Sequence, residues 1–309
     1  MNLSKQGYLF AVMAIVIFGI QDGISKHLGQ LYPPIFVALI RYIAFGAFVL
    51  VLSARSAGGI RRAAKSKRPV LQWVRGAWLA IQIVLAIQCF AYVGLMQTQA
   101  IFASTPIFVA LLSMPVLGEK VGWRRWLAIL AGLVGVLVLL FPKEGLSGFG
   151  ELGWRTLLPL LGAFMLAVYA IMTRLVSRVD DARTSFFYLG VPGLVVLGLI
   201  GPFFWVTPSA GDWIWLALLC MTGMASHYLL IRAYSMLDAV AVQPVVYLQL
   251  VVGAIIGVSV FGETLGINLI VGACIVVAAG LFTVWREHLV ARRAARKAAA
   301  DSQHLAIGS

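Results

Sequence analysis

Apolar residues in this chain recur in blocks about 20 long, divided by short polar or glycine-rich segments. A helix of about 20 residues crosses about 30 Å of hydrocarbon, whereas outer-membrane strands need only about 10 residues of alternating polarity. Backbone amides in lipid find no water, and a helix pairs every one of them internally. The chain is therefore expected to be an all-α membrane protein. The blocks fall near 8–28, 34–54, 73–95, 98–117, 124–142, 154–175, 184–205, 212–236, 238–261 and 267–286, which predicts ten transmembrane helices. The first block is too long for the apolar stretch of a signal peptide and lacks a small-residue cleavage site, so it is expected to remain as the first span.

Only 11% of the 309 residues are charged, yet the net charge is +13. A soluble domain carries about 25% charged residues. Position decides what the excess means. With the N-terminus inside, 20 of the 24 Lys and Arg fall on cytoplasmic segments, among them the run from Arg55 to Arg75 and the tail from Arg286. The positive-inside rule then places both termini in the cytoplasm. The basic tail reads as a topology anchor that can meet membrane lipid, and no nucleic-acid partner is expected. Cys89, Cys220 and Cys274 are far apart and inside apolar blocks. They read as small core residues, with no disulfide framework, no metal site and no cofactor.

Cutting the chain at the glycine-rich segment 143–153 leaves five blocks on each side. In each half a long apolar block ends in Gly-Glu, at Gly118-Glu119 and Gly262-Glu263, and another block follows. The expected organisation is a first repeat at 1–142, a loop at 143–153, a second repeat at 154–286 and a basic tail at 287–309. Five is odd, so the second repeat enters the membrane from the opposite side. Inverted repeats are the architecture of secondary transporters, because one unit in two orientations supplies two exchangeable conformations. Gly253-x-x-x-Gly257 would let two backbones approach closely, as movement between packed helices requires.

The stretch 73–142 carries Arg75-Gly76 at the start of a block, then Thr105-Pro106, Leu117-Gly118-Glu119 and Trp123-Arg124-Arg125-Trp126. The second half carries His227-Tyr228, Ala233-Tyr234, Pro244, Tyr247, Gln249 and Gly262-Glu263, and Arg41-Tyr42 lies in the second block. In these features the chain resembles the EamA-type members of the drug/metabolite transporter superfamily across nearly all of its length outside the tail. That resemblance implies a multi-pass carrier of the bacterial inner membrane. Members move amino acids, nucleotide sugars, sugar phosphates, S-adenosylmethionine, drugs and other metabolites. For this chain it implies amino acids, aromatic ones included, in the direction of export. S-adenosylmethionine or a phosphorylated or nucleotide metabolite is the alternative. Gln97-Thr98-Gln99 stands where many members have small or acidic residues.

A transported solute leaves water for a cavity near the bilayer midplane, so polar side chains must replace its hydration. Trp78, Gln82, Leu85, Cys89 and Tyr92 recur at helical spacing and form one candidate stripe, with Gln88 on the neighbouring one. Gln82 and Gln88 serve either a solute or an interhelical hydrogen bond. Tyr169, Thr173, His227, Tyr228, Tyr247 and Gln249 are further candidates. Pro106 and Pro244 each remove an N–H and can break a span, exposing backbone to a solute or simply kinking the helix. Glu119 and Glu263 read as caps on positive helix ends, just ahead of the next span.

Within the first span stand Gln21, Asp22 and Lys26, costly residues in lipid. Asp22 lies about 9 Å below the outer end of its helix, and Arg41 lies at a matching depth in the second span. The expectation is an Asp22–Arg41 pair, joined by Lys26 one turn on, as an outer gate or a structural lock. Gln21 and Asp22 are expected to face the solute. An enzyme is not expected, since the chain has no HExxH, no Asp-pair metal motif beyond the lone Asp180-Asp181 doublet and no Walker A sequence. Ten spans can enclose a cavity alone, so the expected state is a monomer whose partners are a small-molecule substrate and lipid.

Overall fold

The computed structural model describes residues 3–56, 58–117, 123–140, 157–234, 236, 245–282, 285 and 289. The regular structure among them is helical. In the first half lie α1 (Leu3–Leu31), α2 (Pro34–Ala54), the short α3 (Gly59–Ala63), α4 (Pro69–Tyr92), α5 (Leu95–Phe102), α6 (Thr105–Leu117) and α7 (Trp123–Leu140). In the second lie α8 (Leu158–Ser177), α9 (Ala182–Ile200), α10 (Asp212–Tyr234), α11 (Leu248–Ser259) and α12 (Ile267–Phe282). Seven helices among the described residues are long and apolar enough to cross a membrane, and α11 and α12 are shorter apolar helices. The chain is a multi-pass membrane protein.

Prolines open several of these helices. Pro34, Pro69 and Pro159 occupy the first turns of α2, α4 and α8, where a missing N–H is no loss. Pro69 starts α4 four residues before the expected span and draws Arg75, counted above as a cytoplasmic charge, into the helix, where it is 2% exposed. The expected span 98–117 is two helices, parted at Ala103-Ser104. Pro106 falls in the first turn of α6, so the break precedes the proline. The Ser104 and Thr105 hydroxyls satisfy the carbonyls of Ile101 and Phe102 there, each at 2.6 Å. Pro244 lies outside the described residues.

Packing between the halves follows an exchange rule. Contact of α1 with α10 is matched by α4 with α8, α1 with α11 by α6 with α8, and α4 with α9 by α2 with α10, while α2 lies on α9. Swapping α1, α2, α4 and α6 for α8, α9, α10 and α11 returns the same set. Two contacts break the rule: α4 also packs on α1 and on α2, whereas α10 has no comparable packing on α8 or α9. The α1–α4 contact lies at the end that the charge pattern assigns to the outside. A Cβ on Gly29 would sit 2.8 Å from the Ile87 side chain and 3.3 Å from Ala91. Where α4 meets α9 the approach is closer still. A Cβ on Gly76 would fall 2.2 Å from the carbonyl oxygen of Tyr188, so only glycine fits.

Polar clamps at the two ends also obey the exchange. At one end, Tyr32 in the α1–α2 turn donates to Asp212 at the start of α10 (2.6 Å) and accepts from the Ser209 N–H (3.1 Å). At the opposite end, Asp180 in the α8–α9 turn accepts from Ser66 Oγ (2.5 Å), the Lys67 N–H (2.8 Å) and Gln72 Nε2 (2.9 Å) at the start of α4. Burial alone would raise the Asp180 carboxyl, but these donors, Ser66 foremost, hold it below its ordinary value. A depressed carboxylate stabilises the fold above its unfolded pKa of about 3.9 and loses that contribution only as pH falls through the folded value. The clamp is thus expected to persist from neutral pH to about pH 4. In Asp180→Ala, amide hydrogen exchange at Lys67 should speed up at least about tenfold at pH 7. An unchanged rate there would remove the clamp from this account.

Candidate functional site

Helices from both halves line a narrow cavity. Arg41, Tyr42 and Phe45 of α2 and Cys220, Gly223 and His227 of α10 form much of its wall, completed by apolar side chains of α4 and α9. The His227 ring is wedged between Phe18 at 5.1 Å and Phe45 at 5.5 Å. Gln21 of α1 is 2% exposed, and its Oε1 is buried with no hydrogen-bond partner among the described residues. Gly223 makes the approach possible, since a Cβ there would lie 3.1 Å from Gln21 Oε1 and 3.7 Å from Arg41 Nε. Gln21, Arg41 and His227, spread over three helices, are thus gathered at one place.

Asp22, one residue further along α1, turns elsewhere. Its Oδ2 accepts from Gln99 Nε2 of α5 at 2.5 Å and from Gln249 Nε2 of α11 at 2.6 Å. The expected Asp22–Arg41 pair is not formed: no carboxylate oxygen among the described residues lies within 4.0 Å of Arg41. Two amides already fill the Asp22 acceptor, and Arg41 points into the cavity. Lys26 departs from the expectation as well. It pairs with Glu263, beyond α11, and lies over the Phe261 ring at 4.2 Å.

Glu263 completes a three-way junction. Besides Lys26 it accepts the N–H groups of Leu95 (2.7 Å) and Met96 (2.9 Å), the first of α5. It therefore caps a positive helix end, but that of α5 and not of the helix that follows it in sequence. The chain bends into α5 through Gly94 at φ 109°, a conformation that side chains rarely adopt. Glu119 lies outside the described residues.

A second polar group spans α4, α8 and α9. Arg75 donates to Thr173 Oγ1 (3.3 Å) and to the Ser185 carbonyl (2.6 Å), and faces the Tyr169 ring at 5.7 Å. The Thr173 hydroxyl bonds the Tyr169 carbonyl at 2.8 Å. Trp78 donates its Nε1–H to the Met165 carbonyl at 2.8 Å, tying α4 to α8. Gln82 is buried and Gln88 half-buried on α4. Tyr92 and Tyr228 are exposed, at 58% and 54%, and are not among the residues that line the cavity. The Tyr247 hydroxyl is buried without a partner against Gly280. Cys89 is buried and Cys274 exposed, so the latter is no core residue.

Sequence reasoning missed two of these groups. Gln99 was noted only as a departure from a pattern, although an amide in an apolar stretch facing a buried acid was its signal. Arg75, placed at the start of its block, was counted with the cytoplasmic charges, because Pro69 and the four apolar residues between it and Arg75 did not separate loop from helix.

The model of the EamA-like transporter family matches residues 5–141 and 153–285. The S-adenosylmethionine uptake transporter of Rickettsia prowazekii (strain Madrid E) is 26% identical over 281 residues, covering 91% of this chain and 93% of that protein. The riboflavin transporter of Vibrio cholerae serotype O1 is 30% identical over 301 residues, covering 93% and 96%. A solved crystal structure aligns with 94% of this chain and 98% of its own at a TM-score of 0.60 and 18% identity, a likeness of fold.

Proposed function

Because the chain belongs to the EamA-like transporter family, we propose that it is a secondary carrier moving a small organic solute across the bacterial inner membrane by alternating access. Its two inverted five-helix repeats, ten spans in all, supply the two access states. The observation that carries this reading is the cavity walled jointly by α2 and α10, one from each half, with charged, amide and imidazole groups at one spot. The unmatched α1–α4 contact supports it too, since a carrier caught in one access state has one of two equivalent gates shut.

Amino acids are the first solutes to test. S-adenosylmethionine, for which one relative is named, is the second. Direction follows the gradient, because the same two states run either way. The decisive experiment is counterflow in proteoliposomes loaded with unlabelled solute, with labelled phenylalanine or S-adenosylmethionine outside. Saturable, transient accumulation above protein-free vesicles is expected for a carrier. A non-saturable leak would point to a channel.

A further inference from the structure

We propose that the space between Arg41, Gln21 and Gly223 is a subsite for the carboxylate end of the carried solute, whose adjacent N–H or ammonium group bonds Gln21. This rests on the carrier reading above. Arg41 stays charged at any working pH, and a guanidinium at membrane depth requires an anion or a ring of acceptors. The only acid near it in sequence depth, Asp22, is held by Gln99 and Gln249, and no carboxylate oxygen among the described residues comes within 4.0 Å. An anion entering the cavity meets a guanidinium that no described acid neutralises at contact distance.

Gln21 adds the second requirement. Its Oε1 is buried and unpartnered among the described residues, and an unpaired acceptor in a low-dielectric interior is unfavourable until a donor arrives. Both groups converge on Gly223, where α10 presents bare backbone. A solute there must offer an anion and a donor a few ångströms apart, which is the pattern of an α-amino acid end. Cys220 does not compete for the anion, since its thiol faces the Ile40 carbonyl at 3.8 Å. Tyr42, Phe45 and His227 give the wall an aromatic part and Leu79, Ile83, Leu189 and Met224 an aliphatic one, suited to an apolar body beyond the solute's charged end. A phosphate ester would satisfy Arg41 and leave Gln21 without a donor; a neutral heterocycle would fail Arg41.

The test uses the full chain in proteoliposomes with labelled phenylalanine, S-adenosylmethionine and riboflavin. Competitors are phenylalanine methyl ester and 3-phenylpropionate, or decarboxylated S-adenosylmethionine where that solute is the one carried. Wild-type protein should prefer the intact amino acid over the carboxylate-blocked or decarboxylated analogue by about 30-fold, the scale of a charge-assisted hydrogen bond. Arg41→Gln should reduce that preference to within about 3-fold, with Arg41→Lys intermediate. Gln21→Leu should erase the preference for phenylalanine over 3-phenylpropionate. Arg41→Lys keeps the charge and guards against a folding failure in Arg41→Gln. Full preference retained in Arg41→Gln overturns the subsite. Transport of riboflavin without either amino acid overturns the subsite and leaves the carrier standing. Transport of no probe by inserted, folded protein counts against both.

Discussion

Replacing Glu263 with glutamine is expected to lower stability by about 3–5 kcal/mol, the loss typical when one partner of a buried ion pair is removed. Lys26 is 4% exposed, so its ammonium would be left in the bilayer with no carboxylate in place of the one it touches. The glutamine keeps one carbonyl oxygen, so its NH2 group is turned toward either Leu95 or Met96, whose own N–H groups now point at an anion. One change thus sets donors against donors at a positive helix end. Lys26→Met should cost less, because the carboxylate keeps both backbone donors. The double variant Lys26→Met with Glu263→Gln should recover more than half of the single-variant loss, as the stranded charge is gone. Melting of purified protein in detergent measures all three. Additive losses in the double variant would mean that the pair is not the source of the effect.

The second large effect is at Asp22. Asp22→Leu is expected to strand the buried amide of Gln99, at about 1–3 kcal/mol, and the half-buried amide of Gln249, at less, and to unfasten α1 from α5 and α11 together. Transport should fall with it, because the next residue, Gln21, depends on the placement of α1 for its position by Gly223. Asp22→Asn separates charge from shape. Gln99 or Gln249 can flip its amide to meet the asparagine, so this variant should lose less than about 1 kcal/mol. Melting of both variants, with counterflow alongside, decides the matter. Equal losses in Asp22→Asn and Asp22→Leu would show that the negative charge, and not the hydrogen-bonded junction, is what holds the helices.

Helices were legible in the sequence because the bilayer fixes their length. The block expected at 34–54 is α2 to the residue, and the block at 212–236 is α10 within two. Lateral position was not legible. Depth along a helix follows from counting residues, and Asp22 and Arg41 do match in depth. Which way a side chain points around its axis does not follow, because in lipid both faces of a helix are apolar and the contrast that marks a buried face in water is gone. Tyr92 shared a spacing with Trp78 and is exposed. Partner choice was hidden for the same reason: Lys26 and Glu263 are 237 positions apart, and nothing local links them. The acid's role as a cap was readable from its Gly-Glu setting; the helix it caps was not.

The α1–α4 contact that lacks a counterpart bears on sidedness. If the Lys26–Glu263 junction favours this arrangement by about 2 kcal/mol over its mirror, the mirror is populated at about 3%, and a solute binding only that form shows an apparent affinity weaker by about 30-fold. Half-saturation would then differ between the two faces of the membrane even though every binding group is shared. A carrier of this design sets its polarity through the resting population of an empty state, and one ion pair that does not touch the solute is enough to tune it.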